Sequence, residues 1–411
     1  MSELMRRIAA RGRVAAAVLF ATAALFAGMS PLAGTATAPP DDTAPAAAAS
    51  AAAAPTAAPP EAGPPRYAAV TPGRTLHFPQ DFGSHPEFRI EWWYVTGWLS
   101  TSRHETLGFQ ITFFRTKPSI DESNPSGFAP RQLLIAHCAI SDPAHGRPWQ
   151  EQRIRRAGLG LAEAERGDTN VWIERWALRR YANGTDTNGG DTQGVYQATI
   201  DSDELALHLR LAPTQPPLLN GDAGFSRKGP SPEAASYYYS EPHLKVAGTA
   251  RRGAGSEETV SGEAWLDHEW TSEYLAGDAV GWDWTGINLE DGGALMAFRI
   301  RRADGGTLWA GGTLRDAAGR TQVLSPDQIR FIPGRTWRSE RSGTVYPVVW
   351  RLRAADHDIE IQPLMDDQEI DTRLSTGAIY WEGAVRAYES PRLVGRGYLE
   401  LTGYSERLRL R

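Results

Sequence analysis

One cysteine, Cys138, stands among 411 residues, so no internal disulfide can staple this chain and its fold must rest on packing. His137 precedes the thiol but no His, Lys or Arg closely follows it, and the expectation is a buried small hydrophobe rather than a nucleophile. Excess positive charge is missing too. Lys plus Arg total 43 against 49 Asp plus Glu, without a basic block, which leaves nucleic-acid binding without electrostatic support. The nine His are scattered, with no pair at metalloprotease spacing. No metal site is therefore expected, although a composite of His85, His137 and His268 stays open. There is no phosphate-cradling glycine loop and no dinucleotide fingerprint, so no cofactor is expected either. Lys228 occupies the last glycine position of a Gly-x-Ser-x-Gly elbow around Ser226, which removes the usual serine-hydrolase reading. Stretches with helical periodicity are scarce; Ile154–Arg166 is the best helical candidate.

What is present begins with an export signal. Arg6, Arg7, Arg11 and Arg13 precede an apolar run from Val14 to Met29, and Ala36-Thr37-Ala38 supplies a small-x-small cleavage site. Residues 1–38 are expected to be a signal peptide, and the protein periplasmic or secreted. Residues 39–65 are almost all Ala, Pro and small or acidic residues, a composition that cannot bury a core and predicts a disordered linker. No later stretch is apolar and long enough to span a bilayer as a helix.

From Tyr67 onward short alternating or aromatic runs are separated by Gly, Pro, Asp and Asn clusters. Trp92–Leu99, Leu107–Arg115, Gln132–Ile140, Glu204–Leu211, Leu295–Ile300, Val345–Leu352 and Ile359–Pro363 all read as strands. The fold class is all-β, a sandwich or barrel. The chain also repeats itself. Trp93–Gly97 matches Trp282–Gly286, each followed by a turn and an aromatic strand ending in Arg115 or Arg299. Gly262–Asp267 matches Gly395–Glu400, and the strand ending at Pro213 matches the one ending at Pro363. The order is the same in both halves, which predicts a duplication into two antiparallel barrels or half-barrels, 67–275 and 276–411.

The densest chemistry lies at Trp265-Leu266-Asp267-His268-Glu269-Trp270. On a strand Asp267 and Glu269 face one side, and His268 faces the other with Trp270. A carboxylate among indoles is desolvated, so it holds its proton longer and can act as an acid; His268 could orient or protonate it. The alternative is a hydrogen-bonded polar cluster closing the barrel or cementing the two halves. Asp283, between Trp282 and Trp284, repeats the chemistry. Glu91-Trp92-Trp93-Tyr94 starts the matching strand, with Glu91, Trp92 or Tyr94 available to line a cavity and one Trp in the core. Gln110 and Arg115 follow on the next strand, where they are equally compatible with packing and a salt bridge. Three consecutive tyrosines centred on Tyr238 cannot all be core. Aligned with Asp267-His268-Glu269, the second half carries Glu400-Leu401-Thr402, so only the first copy holds three ionisable groups in a row.

The motifs Glu91–Gly97, Ser236–Ser240, Trp265–Trp270, Gly281–Trp284, Asp367–Glu369 and Tyr380–Gly383 together resemble the hydroxyneurosporene synthase (carotenoid 1,2-hydratase) family, whose exported members are labelled AttH-like proteins or predicted secreted hydrolases. The resemblance covers residues 67–408. It implies two tandem lipocalin-like domains and addition of water to a terminal isoprenoid double bond without metal or organic cofactor. It also implies that His268 and Trp270 form the family's essential pair, with Asp283 matching an essential Asp. The alkene would be protonated by Asp267 or Asp283, the cation stabilised by Trp faces and then captured by water. Three readings follow: a hydratase or hydrolase on an apolar isoprenoid or lipid; a non-catalytic lipid carrier linked to an export system; and, less favoured by the spacing of Asp267 and Glu269, a carbohydrate-active protein. Under the first two, Glu91, Trp92, Tyr94, Gln110, Arg115, His137, Tyr238, Trp282 and Trp284 would bind the ligand.

Overall fold

The computed structural model describes residues 67–120, 124–126, 128–182, 194–273, 275 and 277–407. The expected signal peptide and linker lie outside the described residues. The described chain is built from antiparallel strands and two 3-10 turns, with no α-helix among the described residues.

Two large sheets divide the strands. In the 13-stranded sheet, Ile90–Thr101 lies at the middle of the path, flanked by Thr106–Thr116 and by Glu258–Thr271. Leu133–Asp142 and Arg147–Arg156 continue one way. Ala235–Arg252, Leu205–Ala212 and four further strands back to Ala162–Ala164 continue the other. The two ends of this path approach one another, so the sheet nearly closes into a barrel. The ten-stranded sheet has Ala279–Leu289 and Arg392–Leu401 as neighbours at its centre, with Ala294–Arg302 and Ile379–Glu389 outside them. Closing strands this way protects their edges, which a chain without disulfides needs.

Each sheet wraps its own core. Trp93, Phe109, Ile111, Trp176, Leu207, Leu209 and Trp270 fill the first; Ile287, Trp350, Leu352, Trp381 and Leu399 fill the second. A third apolar cluster, with Tyr94, Trp98, Tyr238, Trp265, Trp284, Phe298 and Tyr398, lies between the sheets. There the backbones come very close: a Cβ built on Gly108 would lie 2.7 Å from the Ala384 Cβ. Trp98 Nε1 donates to the Gly397 carbonyl (3.0 Å), and Asn288 Nδ2 donates to the Ala264 carbonyl (3.3 Å). The central strands of the two repeats thus lie face to face.

Three expectations change. Ile154–Arg166 is not helical: Ile154 lies near the end of the Arg147–Arg156 strand, a turn follows, and Ala162–Ala164 forms the next strand. Its apolar residues are spread over two strands and the turn between them, which mimicked a helical period. Val345–Leu352 divides between a small hairpin at Val345–Pro347 and a sheet strand from Trp350, because Pro347 cannot donate to a ladder. The repeat register also shifts by one residue. Tyr94 pairs with Asp267 and Trp284 with Glu400, so Tyr94 corresponds to Trp284 and Trp93 to Asp283.

Candidate active site

Strand alternation splits the Asp267–Trp270 motif in two. Asp267 and Glu269 line a cavity of about 1020 Å³ between the sheets. His268 and Trp270 point into the first barrel and are fully buried there. The notion that His268 governs the proton on Asp267 by contact therefore fails geometrically: the backbone of one strand stands between them.

On the cavity side, Asp267 receives only neutral donors. Tyr238 donates its hydroxyl to Oδ2 (2.7 Å), while Ser240 (2.5 Å) and Trp265 Nε1 (2.7 Å) donate to Oδ1. Trp284 Nε1 donates to the Tyr238 oxygen (3.0 Å) and Asn220 Nδ2 to the Ser240 oxygen (2.7 Å), so both hydroxyls are aimed at the carboxyl. Burial still dominates and pushes Asp267 up to about 7, with the nearby Glu269 adding to it. Glu269 is held differently, with the Lys228 ammonium 2.9 Å away and a Ser236 hydroxyl at 2.5 Å. Trp92, Tyr94, Trp282 and Trp284 complete an aromatic lining.

The second repeat adds carboxyl groups that the sequence reading did not select. Glu382 and Glu400 are cross-strand partners and both face the cavity. Burial raises both: Glu400 to about 7, and Glu382 well above the ordinary carboxylate range, with Glu400 contributing. Trp282 Nε1 donates to Glu400 Oε2 (2.9 Å). Nearby, His137 bonds through Nδ1 to the Tyr380 hydroxyl (3.0 Å) and through Nε2 to Ser375 (2.9 Å). Burial pushes His137 down to about 3, so it is a neutral wall residue. The signal for Glu382 was available: Tyr380-Trp381-Glu382 occupies the place that Tyr238-Tyr239-Ser240 holds against Asp267.

Inside the first barrel the chemistry is opposite in sign. Glu91 accepts from Arg115 Nε (2.9 Å), His85 Nδ1 (2.7 Å) and His268 Nε2 (2.8 Å). Burial works to raise this carboxyl, but His85, Arg115 and His268 hold it well below the ordinary range. Each charge-assisted bond contributes about 1.5–3 kcal/mol, and several together offset a desolvation cost of several kcal/mol. Burial keeps His268 neutral, so its Nε2–H donates to Glu91 and its Nδ1 accepts the Tyr239 hydroxyl (3.0 Å). Trp93 stacks on His268 at 4.6 Å between ring centroids and His85 on Trp270 at 3.8 Å.

Among the described residues, His85, Glu91 and His268 are the one trio whose ligand atoms would suit a metal ion, all within 4.8 Å of one another. They do not fit one well. Arg115 already places a cation on Glu91, Asp81 bonds His85 Nε2 (2.9 Å), and burial notwithstanding, Glu91 and Asp81 raise the proton affinity of His85. The composite of His85, His137 and His268 is not assembled, because His137 lies on the cavity wall.

The other expected residues separate in the same way. Trp92, Tyr94, His137, Tyr238, Trp282 and Trp284 line the cavity; Glu91, Gln110 and Arg115 do not. Gln110 donates to Thr112 (2.6 Å) within its own strand. Asp283 is buried in the second sheet, bound by Arg299 (2.6 Å), Arg301 (3.1 Å) and the Tyr404 hydroxyl (2.9 Å). Its two carboxyl oxygens are thus each engaged by a guanidinium group.

Residues 69–404 match the AttH-like family model. The crystal structure of an AttH-type protein from Nitrosomonas europaea is similar at 52% identity and TM-score 0.74, over 82% of this chain and 99% of that one. Kievitone hydratase from Nectria haematococca has the same fold, at 15% identity and TM-score 0.60, over 84% of this chain and 98% of that one. No curated protein sequence matches. The chain belongs to the AttH-like family.

Proposed function

We propose that this AttH-like chain is an exported, hydratase-like enzyme that adds water to, or removes it from, an apolar isoprenoid or lipid held between its two sheets, using its own carboxyl groups for proton transfer. One observation carries the reading: Asp267, Glu382 and Glu400 converge on an aromatic-lined cavity of about 1020 Å³ without a cationic partner among the described residues. Ordinary carboxylates are deprotonated near neutrality and make poor acids. These are desolvated, and burial brings Asp267 and Glu400 to about 7, where a group can both give and take a proton. The ring faces of Trp92, Trp282 and Trp284 suit an apolar chain and a transient cation. A fold shared with a hydratase accommodates such chemistry.

The test is conversion of lycopene and neurosporene by purified protein, read as a product heavier by one water. Asp267→Asn should abolish it while the fold persists. Turnover unchanged in Asp267→Asn would remove this carboxyl from the reaction. A co-purified lipid seen by native mass spectrometry, with no turnover of any isoprenoid, would instead favour the carrier reading.

A further inference from the structure

We infer that Glu382 and Glu400 share one proton and form the acid of the site, facing Asp267, the base, from the other repeat. This rests on the hydratase reading above.

Glu382 and Glu400 stand directly opposite on neighbouring antiparallel strands, which places their Cβ atoms about 5 Å apart. Both line the cavity. Glu382 is 3% exposed and its Oε1 has no hydrogen-bond partner. No ion pair among the described residues reaches either carboxyl. The groups facing the pair are Tyr94 from the first sheet, Tyr380 and Tyr398 from its own strands, and Asp267 and Glu269 across the cavity, with Asp283 behind. None is a cation. Two negative charges this close in a desolvated wall cannot both persist, so one proton stays between them.

The duplication then gives the pair a counterpart. Ser240 and Asp267 hold the same cross-strand positions in the first repeat. One repeat thus presents two carboxyls, the other a carboxyl with three neutral donors. That asymmetry separates an acid from a base. The shared proton passes from the pair to the terminal alkene carbon, leaving a tertiary carbocation and a doubly ionised pair. A water oxygen bonds to the cation, and the water proton passes to the Asp267 carboxylate. Asp267 then releases its proton to solvent and the pair takes one up, so the sum is alkene plus water giving alcohol.

The experiment has two arms. Infrared titration of the substrate-free protein reads protonated carboxyl groups. Wild type should retain one on this pair well above the ordinary carboxylate range. Glu400→Gln should lower the remaining Glu382 titration by at least one pH unit, and Glu400→Asp should restore it. A Glu382 titration that ignores residue 400 overturns the pair, whatever the turnover. The second arm follows water addition to neurosporene in heavy water. Glu382→Gln and Glu400→Gln should each slow deuterium delivery at least 100-fold. Rates within tenfold of wild type in both overturn the acid role. No turnover in wild type, with the shared proton seen, overturns the hydratase reading and the acid role and leaves the pair standing.

Discussion

The two faces of the paired Ile90–Thr101 and Glu258–Thr271 strands carry ionisable groups of similar burial and opposite fate. On the inner face, Glu91 meets a guanidinium and two imidazoles and stays ionised below the usual carboxylate range. On the outer face, Asp267 meets two hydroxyls and an indole, and burial pushes it to about 7. Burial alone does not decide what a buried carboxyl does; the sign of its neighbours does. The inner cluster welds the N-terminal segment to the barrel, because His85 reaches Glu91 from outside the sheet and Asp81 in turn holds His85. The outer cluster brings no cation to Asp267, and this leaves its carboxyl available for proton transfer.

The sharpest way to break the comparison is to remove the inner cation. Arg115→Met leaves Glu91 buried beside a weaker set of partners and should cost about 3–5 kcal/mol in urea unfolding. Asp267→Asn, the outer counterpart, keeps the same shape, and its amide oxygen can still accept from Ser240 and Trp265. At pH 5 it should change stability by less than about 1 kcal/mol yet abolish turnover. If Arg115→Met proves as mild as Asp267→Asn, the inner cluster is not the structural element described above.

His268→Ala comes next. It opens space against Trp93 and Trp270 and orphans the Tyr239 hydroxyl, for an expected loss of about 2–4 kcal/mol. Turnover per folded molecule should fall less than in Asp267→Asn, because His268 touches no cavity atom. A full loss of turnover in a folded His268→Ala protein would restore the direct role that the family resemblance implies.

Much of this was legible in the sequence. Alternation announced the strands, the repeated Gly/Trp motifs announced the duplication, and the opposed faces of Asp267 and His268 followed from a period of two. Two things were not legible. Glu382 and Glu400 are 18 residues apart and become neighbours only through the antiparallel pairing of their strands, which pattern alone does not place. Asp283 looked like Asp267 because both sit beside Trp. Only the third dimension puts Arg299 and Arg301 on one and not the other.

A pH series separates the two faces more gently. Asp267 and Glu400 keep their protons to about pH 7 in the fold, against about 4 in the unfolded chain. Between these limits the folded state binds more protons. Their stabilising contribution is complete below about pH 4 and is lost as pH rises to 7, by about 1.4 kcal/mol per pH unit for each group. Glu91 works the other way: its contribution is present above about pH 4.3 and is lost as pH falls through the lower folded value. Urea midpoints should therefore decline from pH 5 to 7, and Asp267→Asn should flatten the decline. An unchanged slope in that variant would mean that Asp267 is already ionised throughout.

The smallest effect expected on the fold divides two adjacent tryptophans. Trp93 is 1% exposed and stacks on His268, so Trp93→Ala belongs with the core truncations that cost about 3–5 kcal/mol. Trp92, one residue earlier, faces the cavity. Its removal enlarges a space that already exists and leaves no barrel contact unmade, so Trp92→Ala should cost about 1 kcal/mol or less. What it should lose is ligand. The face of an indole is a large apolar surface with a negative quadrupole, and weaker retention of neurosporene at unchanged stability is the expected result. Equal destabilisation by the two substitutions would mean that the cavity wall is itself core, and that the strand does not divide structure from function at this pair.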